Sequence, residues 1–417
     1  MRSHTQNLID SADAKLVGAL DRQSFDRGLP SAPLAQYLPF GKPDFSDEEI
    51  DAVTRVMRSG WIGMGPETLT FEKELAASLD VPHVVTVNSC TSALYLALLL
   101  KGVGDGDEVI CPSLTWCATA NAAIYLGAKP VFCDVDPETL CVSTQTILEK
   151  VTSRTRAVVV VHFGGFAVDV EEIRAALPSG VAIVEDAAHA FGSRLPDGKA
   201  VGASGNLTCF SFYANKNLST GEGGAIALFD DDESDRLRSL RQNGMPINAW
   251  SRFSKPKSVL YSNLTELGYK MNFIDLQAAI GRVQLRRQPE FRALRSDIAQ
   301  LYWDELECLE PQVRFQSEVL HPRHARHLFT VTLPFERMNV SRDEFLLQLR
   351  AMNIGASIHY APLHMMPLYA PYEPSRLAQT EKLAEAILTL PISSSMTLDD
   401  AGHVTAAFQE VFHRSLA

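Results

Sequence analysis

The sequence lacks the features that would mark a membrane, secreted or nucleic-acid-binding protein. Its longest apolar run covers residues 93–100, far short of the about 18 residues that span a bilayer, and the first 40 residues contain no signal-peptide core. The net charge of −12 argues against nucleic acid, because phosphate binding needs a basic surface. We therefore expect a cytoplasmic protein without a membrane or nucleic-acid partner, in which a local basic cluster would meet any anionic substrate.

Cysteine is also scarce, with seven residues in 417 and no Cys-x-x-Cys spacing. Most of the cysteines lie in apolar runs, which predicts buried reduced thiols and neither disulfides nor a metal site. His321, His324 and His327 recur every three residues, but no cysteine accompanies them and two arginines lie between them. We interpret these histidines as structural or substrate-facing and expect no bound metal.

The length of the chain, and the change in its pattern of predicted strands and helices, predict an N-terminal extension followed by two domains. A chain of 417 residues exceeds what one hydrophobic core usually supports. Residues 1–36 form the extension, residues 37–285 the large domain, and residues 286–417 a smaller α+β domain. Capping boxes of the type Ser-x-x-Glu predict helix starts at Ser46 and Ser341.

The large domain alternates short apolar runs with helical segments, which predicts an α/β layered architecture. Most of the runs are apolar throughout, as expected of strands that are covered on both faces. A long helix is predicted over residues 273–306, with an interruption at Pro289. The strands are predicted at His83–Val87, Glu108–Cys111, Val131–Val135, Ala157–Val161, Val181–Glu185, Cys209–Phe212 and Ala225–Phe229.

Lys216 is the centre of the functional interpretation. It follows the apolar run 209–213 and precedes the turn Gly221-Glu222-Gly223-Gly224. Desolvation at a strand end disfavours the ammonium form and frees the amine to form a Schiff base with a carbonyl cofactor. The glycines would let the backbone pack closely around a bulky ring. Taken alone, Lys216 is better explained as a solvated surface charge, so the assignment depends on its companions.

Asp186 and His189 follow another strand, in the segment Glu185-Asp186-Ala187-Ala188-His189. Ligands of open α/β sheets sit outside the carboxyl ends of the strands, where Asp186 is placed. A carboxylate at that point can keep a pyridine nitrogen protonated, so that the ring accepts electrons. Asp186 could instead cap a following helix, and His189 could hydrogen-bond a ring oxygen of the cofactor or simply pack.

The segment Asn88-Ser89-Cys90-Thr91-Ser92 indicates a phosphate site, because it closes one strand and opens an apolar helix. Backbone N–H groups and hydroxyls at a helix start bind anions, although an ordinary helix cap explains the pattern nearly as well. Ser211 is a further candidate phosphate contact. Trp116 follows a third strand end and could stack on a cofactor ring or pack in a core or interface.

Along the chain, the phosphate segment comes first, then Trp116, Asp186 and finally Lys216 before the glycine-rich turn. In this order, the segments resemble the DegT/DnrJ/StrS family of sugar aminotransferases. The similarity covers roughly residues 38–415 and also includes the segments 59–66, 112–116, 268–272 and 359–364. It implies the fold-type-I aminotransferase architecture, with a large α/β/α domain around a mostly parallel mixed sheet and a smaller C-terminal α+β domain. It also implies a transaminase that depends on pyridoxal 5'-phosphate.

The resemblance implies a role for each matching residue. Lys216 would be the Schiff-base lysine and the acid/base that moves the proton between cofactor and substrate carbons. Asp186 would pair with the pyridinium, Trp116 would stack on the ring, and His189 would contact the cofactor. The phosphate would be held by Cys90, Thr91 and Ser211, together with Asn272 of the partner subunit. The residues that would contact the sugar are Lys270, His359 and Tyr360.

The implied reaction moves an amino group from an amino acid, with glutamate as the expected donor, to a keto group of a nucleotide-linked sugar. The active site would lie at the interface of a homodimer. Members that dehydrate sugars carry a histidine at the position of Lys216, so transamination is favoured. Residues 112–116 and 268–270 most resemble the enzymes that aminate UDP-linked 4-keto-arabinose. A keto-cyclitol acceptor without a nucleotide, and a non-catalytic cofactor-binding regulator, are the alternatives.

Overall fold

The computed structural model describes residues 33–245, 250, 264, 266–372 and 374–416. It contains a seven-stranded sheet and, near the C-terminus, a three-stranded sheet. Nearly all of the predicted N-terminal extension lies outside the described residues. The strands are β1 (His83–Val87), β2 (Glu108–Pro112), β3 (Lys129–Cys133), β4 (Thr155–Val161), β5 (Ala182–Asp186), β6 (Leu207–Ser211), β7 (Gly224–Leu228), β8 (Arg314–Phe315), β9 (Phe329–Thr332) and β10 (Ile387–Leu390).

Helices connect most of the strands, and none of the described helices is long and apolar enough to cross a membrane. The α-helices are α1 (Asp47–Ser59), α2 (Pro66–Leu79), α3 (Cys90–Leu100), α4 (Ala118–Ile124), α5 (Thr144–Leu148), α6 (Val170–Ala176), α7 (Asp231–Leu240), α8 (Asp275–Arg286), α9 (Gln288–Leu306), α10 (Arg342–Ala351), α11 (Ala378–Ala386) and α12 (Leu398–Leu416). Short 3₁₀ helices occupy Phe163–Gly165, Glu307–Leu309, Phe335–Arg337, Leu363–Met365 and Pro367–Tyr372.

The order of strands in the large sheet determines where the functional loops meet. The order is β1-β7-β6-β5-β4-β2-β3. β7 runs antiparallel to both of its neighbours, and the other adjacent pairs are parallel. β1, β5 and β6 therefore end at the same edge of the sheet. The segments that carry the predicted phosphate site, Asp186 and Lys216 follow or close these three strands, so the sheet brings them together.

Both faces of the large sheet are covered, as the strand β4 illustrates. Val158 and Val160 belong to one apolar cluster, and Ala157 and Val159 belong to the cluster on the opposite face. All four residues are fully buried. Because successive side chains of a strand point to opposite faces, a strand that is buried on both sides must be apolar throughout.

The C-terminal part packs around a third apolar cluster, which α9, α10, α12 and the small sheet share. The predicted long helix is divided into α8 and α9 at Arg287. Pro289 lies in the first turn of α9, where its missing N–H group breaks no helical hydrogen bond. The predicted domain boundary near residue 285 stays a prediction.

The predicted strands and fold class are confirmed. All seven strands of the large sheet are present, and their ends differ from the predicted ones by at most two residues. Both capping boxes form, at Ser46 and at Ser341. All seven cysteines are free thiols, and five of them are buried, whereas Cys308 is exposed.

A buried ion pair between Glu72 and Arg241 ties α2 to the segment that follows α7. Glu72 Oε1 accepts hydrogen bonds from the N–H group and the hydroxyl of Thr86, at 3.0 and 2.8 Å, and from Arg241. Burial alone would raise the pKa of Glu72, but Arg241 and Arg238 outweigh that effect and lower the pKa. Since Thr86 lies in β1, this contact also positions the strand that leads to the phosphate segment.

We expect Glu72→Gln to lower the free energy of unfolding by roughly 3–5 kcal/mol, because it leaves the buried Arg241 without its counter-ion. Urea-induced unfolding of wild type and variant measures this difference. Glu74→Gln on the same helix is the matched control, since Glu74 pairs with the partly exposed Arg282 and should contribute less than about 1 kcal/mol. Equal losses in the two variants would contradict the importance of the buried pair.

Candidate active site

A cavity of about 500 Å³ opens at the edge of the sheet where β1, β5 and β6 end. Its volume lies in the range of small-molecule binding sites. The predicted residues that line it are Cys90, Thr91, Trp116, Asp186, His189, Ser211, Lys216, His359 and Tyr360. The structure thus brings together nine side chains from distant parts of the sequence. Other lining residues, which sequence reasoning did not single out, include Thr115, Tyr213, Asn215 and Glu222.

Lys216 lies in the loop between β6 and β7, and the base of this loop is closed by backbone hydrogen bonds. Phe212 N donates to Gly223 O, and Thr220 N donates to Phe212 O, both at 2.9 Å. Desolvation lowers the pKa of Lys216 to about 8, whereas the nearby carboxylate of Asp186 acts in the opposite direction. A lysine with this pKa is in part a neutral amine near neutral pH, so it can act as a nucleophile.

Asp186 is a buried carboxylate that lacks an ion-pair partner among the described residues. Its Oδ2 accepts a hydrogen bond from the hydroxyl of Thr119 at 2.8 Å, and its Oδ1 accepts one from Ala188 N at 3.1 Å. Burial raises the pKa of Asp186. No helix starts directly after β5, so the alternative that Asp186 caps a helix is wrong. A cation in the cavity would relieve the cost of burying this charge.

The phosphate segment folds as a helix start that faces the cavity. Ser89 is the N-cap of α3, and its hydroxyl accepts a hydrogen bond from Ser92 N at 3.1 Å. The predicted cap is confirmed, and it is compatible with the predicted anion site, because the cap uses a different N–H group from those of Cys90 and Thr91. First-turn N–H groups have no partner inside a helix and bind anions readily. Ser211, at the end of β6, lines the same part of the cavity.

Gly224 allows β7 to approach this helix start closely. A Cβ atom at Gly224 would lie 2.6 Å from the backbone nitrogen of Cys90, so any larger residue would displace the first turn of α3. The thiol of Cys90 donates a weak hydrogen bond to the carbonyl of Cys209 at 3.7 Å and is therefore directed to the sheet. Cys90 can contact a phosphate through its N–H group while its side chain packs.

His189 and Tyr360 form a hydrogen-bonded pair on one wall of the cavity. Burial lowers the pKa of His189 well below its usual range, so the ring is neutral. Its Nδ1 accepts a hydrogen bond from Gly164 N at 3.3 Å, which leaves the proton on Nε2. We therefore assign Nε2–H as the donor to the hydroxyl of Tyr360, at 3.1 Å. The hydroxyl proton of Tyr360 remains available to a ligand.

At this wall of the cavity, Trp116 is exposed and His359 is buried. The Trp116 side chain is 62% exposed, so it is not a core residue, and its ring centroid lies 6.0 Å from that of Tyr360. His359 is nearly buried, its Nδ1 lies 3.1 Å from the hydroxyl of Thr389, and burial lowers its pKa to about 3. A neutral His359 can offer only hydrogen bonds, and no charge, to an anionic substrate.

The sequence analysis interpreted His327 as structural or substrate-facing, and the structure places its side chain next to that of Lys216. Asn217 Nδ2 donates to the carbonyl of Ala325 at 2.9 Å, which fixes Asn217 Oδ1 as the acceptor for His327 Nδ1–H at 3.2 Å. His327 Nε2 therefore presents its lone pair to Lys216 Nζ at 3.4 Å. The adjacency of Asn217 to Lys216 was visible in the sequence, but the contact with His327 spans 110 residues.

The other two histidines of the predicted triplet have separate partners. His321 Nδ1 accepts a hydrogen bond from Arg323 N at 3.1 Å, and His324 Nε2 lies 3.2 Å from Gln316 Oε1. Within the part of the chain that the structure describes, no group of three or more His, Cys, Asp or Glu side chains could hold a metal ion.

Lys270 and Asn272 do not line the cavity of Lys216. They lie instead in a separate depression of about 290 Å³, next to Trp61 and Gln242. Lys270 is exposed, and its Nζ donates to Asn272 Oδ1. A single chain therefore leaves these two predicted residues apart from the rest of the site.

The cavity suits pyridoxal 5'-phosphate, because each part of that molecule meets a matching group. The unpaired Asp186 would hold a pyridinium, and the first turn of α3 with Ser211 would hold the phosphate. The Nζ atom of Lys216 would hold the carbonyl carbon, and the exposed ring of Trp116 would cover one face. Such a ligand supplies the cation that Asp186 lacks.

Comparison with known proteins agrees with this geometry. Residues 43–409 match the DegT/DnrJ/EryC1/StrS aminotransferase family. The spore coat polysaccharide biosynthesis protein SpsC of Bacillus subtilis is 40% identical over 382 residues, which are 90% of this chain and 97% of SpsC.

Two solved structures share the fold. The aminotransferase TlmJ of Streptoalloteichus hindustanus is 34% identical with a TM-score of 0.83, and the match covers 91% of this chain and 100% of TlmJ. The sugar aminotransferase candidate Spr1654 of Streptococcus pneumoniae was solved in PMP and PLP forms. Its PMP form is 27% identical with a TM-score of 0.83 over 91% of this chain and 100% of Spr1654. The chain belongs to the DegT/DnrJ/EryC1/StrS aminotransferase family and is a fold-type-I transaminase that depends on pyridoxal 5'-phosphate.

Proposed function

We propose that the protein transfers an amino group from glutamate to the keto group of a nucleotide-linked sugar, in particular a 4-keto sugar. The observation that carries the proposal is that one cavity joins Lys216, with its lowered pKa, to the unpaired buried carboxylate of Asp186 and to a helix start. The name of SpsC, a polysaccharide biosynthesis protein, supports a sugar as the acceptor. We assign the reaction to cytoplasmic amino-sugar synthesis for lipopolysaccharide or secondary metabolites.

The bound cofactor supplies a carbon that carries the amino group and a ring that accepts electrons. Asp186 would hold the ring nitrogen and favour its protonated form by electrostatic attraction. Lys216 would hold the carbonyl carbon of the cofactor, and its Nζ would be the base that takes a proton from the donor carbon. The lone pair of His327 Nε2 holds an N–H bond of Lys216, so that the amine keeps its own lone pair toward the reacting carbon.

The acceptor site is completed, in this proposal, by a second copy of the chain. Lys270 and Asn272 lie outside the cavity of their own chain, on a surface that also carries the aromatic ring of Trp61. We propose a homodimer in which Asn272 of the partner subunit contacts the cofactor phosphate and Lys270 of the partner subunit faces the sugar nucleotide, while His359 and Tyr360 face the sugar from the same chain.

Two alternative functions, a keto-cyclitol aminotransferase and a cofactor-binding regulator, can be distinguished by experiment. A keto-cyclitol aminotransferase would use the same cavity without a nucleotide, so neither UDP nor dTDP would compete with its acceptor. A cofactor-binding regulator would bind the cofactor without turnover. The lowered pKa of Lys216 and its contact with His327 favour catalysis over this second alternative.

We expect the rate at which pyridoxal phosphate joins the cofactor-free enzyme to rise with pH and to level off above a midpoint of about 8. The neutral amine is the reactive form, and its fraction increases as the pH rises through the pKa of Lys216. Stopped-flow absorbance measures this rate. N-α-acetyl-lysine, treated in the same way, is the control and should show the midpoint of an ordinary lysine, near 10.5. The same midpoint for enzyme and control would contradict the lowered pKa.

We expect glutamate to bleach the visible absorbance of the lysine-linked cofactor in the wild type, and a nucleotide-linked 4-keto sugar to restore it. Lys216→Ala should slow the reaction with glutamate by about 100- to 10,000-fold, because the group that moves the proton is missing. Lys199→Ala, which changes an exposed lysine, is the matched control and should behave as wild type.

The second step of the same experiment tests the acceptor. UDP or dTDP should inhibit the recovery of absorbance competitively if the acceptor is nucleotide-linked. Bleaching by glutamate followed by recovery with keto-cyclitols alone would favour the cyclitol function, and a cofactor that resists all amino acids would overturn the assignment as a transaminase.

We expect a mixture of Lys216→Ala and Asn272→Ala chains to be more active than either variant alone. In a dimer with shared sites, half of the hybrids' sites combine an intact lysine with an intact Asn272 of the partner subunit, which gives about a quarter of wild-type activity. Steady-state activity after joint refolding or co-expression measures this. Activity equal to the average of the two separate variants would show that each chain completes its own site.

A further inference from the structure

A second cavity, of about 410 Å³, opens separately from the cofactor cavity. Its walls come from the start of α9 and the segment 191–194, with contributions from α2 and α8. None of its lining residues lines the cofactor cavity. Three arginines line it, Arg194, Arg292 and Arg295, and no aspartate or glutamate is among the described residues of its wall.

Arg295 is the most unusual of the three, because a guanidinium is buried there without a carboxylate. The side chain is 2% exposed, and no described acidic group lies within ion-pair distance. Its Nη1 donates to the carbonyls of Arg326 and Ile392, each at 3.1 Å, but its Nε has no hydrogen-bond partner among the described residues. Burial lowers the pKa of Arg295 to about 10. Two carbonyl contacts do not neutralise a buried charge.

Arg292 and Arg194 add positive charge at the same place. Arg292 precedes Arg295 by three residues on α9, so the two side chains share one face of the helix. Burial and the nearby Arg194 both lower the pKa of Arg292. Arg292 donates to the carbonyl of Pro322, and Arg194 donates to that of Gly198 at 2.9 Å; neither forms an ion pair with a described residue. In a chain with a net charge of −12, three arginines without acidic partners mark a local site for an anion.

We propose that this arginine cavity is a second ligand site, which binds the phosphate or carboxylate group of a small organic anion. Guanidinium groups match both anions in geometry and bind them through pairs of charged hydrogen bonds. The carbon part of the ligand would pack against the apolar part of the wall, which includes Leu79, Phe191 and Leu285. The volume fits a metabolite of small-molecule size.

A purely structural role accounts for only part of this arrangement. Arg295 does clamp two backbone carbonyls between α9 and the segment before the last helix. That role leaves its Nε without a partner, and it does not explain why Arg292 and Arg194 converge on the same cavity. A bound anion would place negative charge beside guanidinium groups that have no described acidic partner.

The test is isothermal titration calorimetry on the holoenzyme. Saturating pyridoxal phosphate keeps the anionic probes away from the phosphate segment of the cofactor cavity. The probes are glucose 1-phosphate for phosphate esters, citrate for carboxylates, and glucose as the uncharged control. We expect at least one anionic probe to bind and glucose not to bind. Arg292→Ala should weaken that binding about tenfold or more, and Arg292→Lys should weaken it less. Arg337→Ala, an exposed arginine of the C-terminal part, is the matched control and should bind as wild type.

A thermal shift measurement gives an independent readout. The bound anion should raise the melting temperature of the wild type with increasing concentration and leave that of Arg292→Ala unchanged. The bleaching by glutamate should be the same in wild type and Arg292→Ala, which shows that the variant is folded and active. Absence of binding by both anionic probes, or binding that Arg292→Ala does not weaken, would overturn the proposal.

Discussion

The buried charge of Asp186 is the constraint on which the architecture of the site depends. A carboxylate that is removed from water and paired only with neutral donors is costly, so its surroundings must be rigid enough to keep it in place. Asp186 achieves this at the end of the central strand β5, where the parallel ladders to β4 and β6 fix it opposite Val161 and Cys209. In the proposed role of Asp186, a protonated cofactor ring would offset this cost and would couple the stability of the site to cofactor binding.

Burial also disfavours the charged form of Lys216, which in this case is the cation. Desolvation disfavours its charge, while Asp186 favours it, and the balance leaves an amine that is reactive near neutral pH. Hydrogen bonds then orient the groups around it. The carbonyl of Ala325 can only accept, so it faces the amide nitrogen of Asn217. The amide oxygen of Asn217 then accepts from His327 Nδ1–H, which leaves the lone pair of His327 Nε2 for Lys216. The result is a lone pair on His327 that faces the lysine without adding a charge to the cavity.

The two cavities place complementary demands on their ligands. In the cofactor cavity the carboxylate of Asp186 forms no ion pair with a described residue, and in the arginine cavity the three guanidinium groups form none either. Two consecutive residues connect the cavities, since Lys216 lines the cofactor cavity and Asn217 lines the arginine cavity. Burying such groups costs stability, and in both proposals a ligand bound at the site would offset that cost.

The edge strand β3 shows where the sequence pattern failed to give the ends of elements. The apolar run predicted a strand at 131–135, but the strand covers Lys129–Cys133, because Lys129 and Pro130 pair with Glu108 and Val109 of β2. A polar residue and a proline are acceptable there, since an edge strand has one free side. Pattern alone does not reveal which strand is at the edge. Errors of the same size occur in the centre of the sheet, where β4 and β6 each begin two residues before the predicted start.

The sequence by itself determined the strands and the capping boxes, because each depends on residues that are neighbours along the chain. It singled out Lys216 and Asp186 through the order of several segments and their resemblance to one family. The tertiary structure alone decided that Thr119 would hold Asp186, that His327 would face Lys216, and that Lys270 and Asn272 would lie outside the cavity of their own chain. It also gathered arginines from two segments into one cavity. Hydrogen bonds and charges between residues that are far apart in sequence leave no periodic pattern, so only the folded chain shows which of them meet.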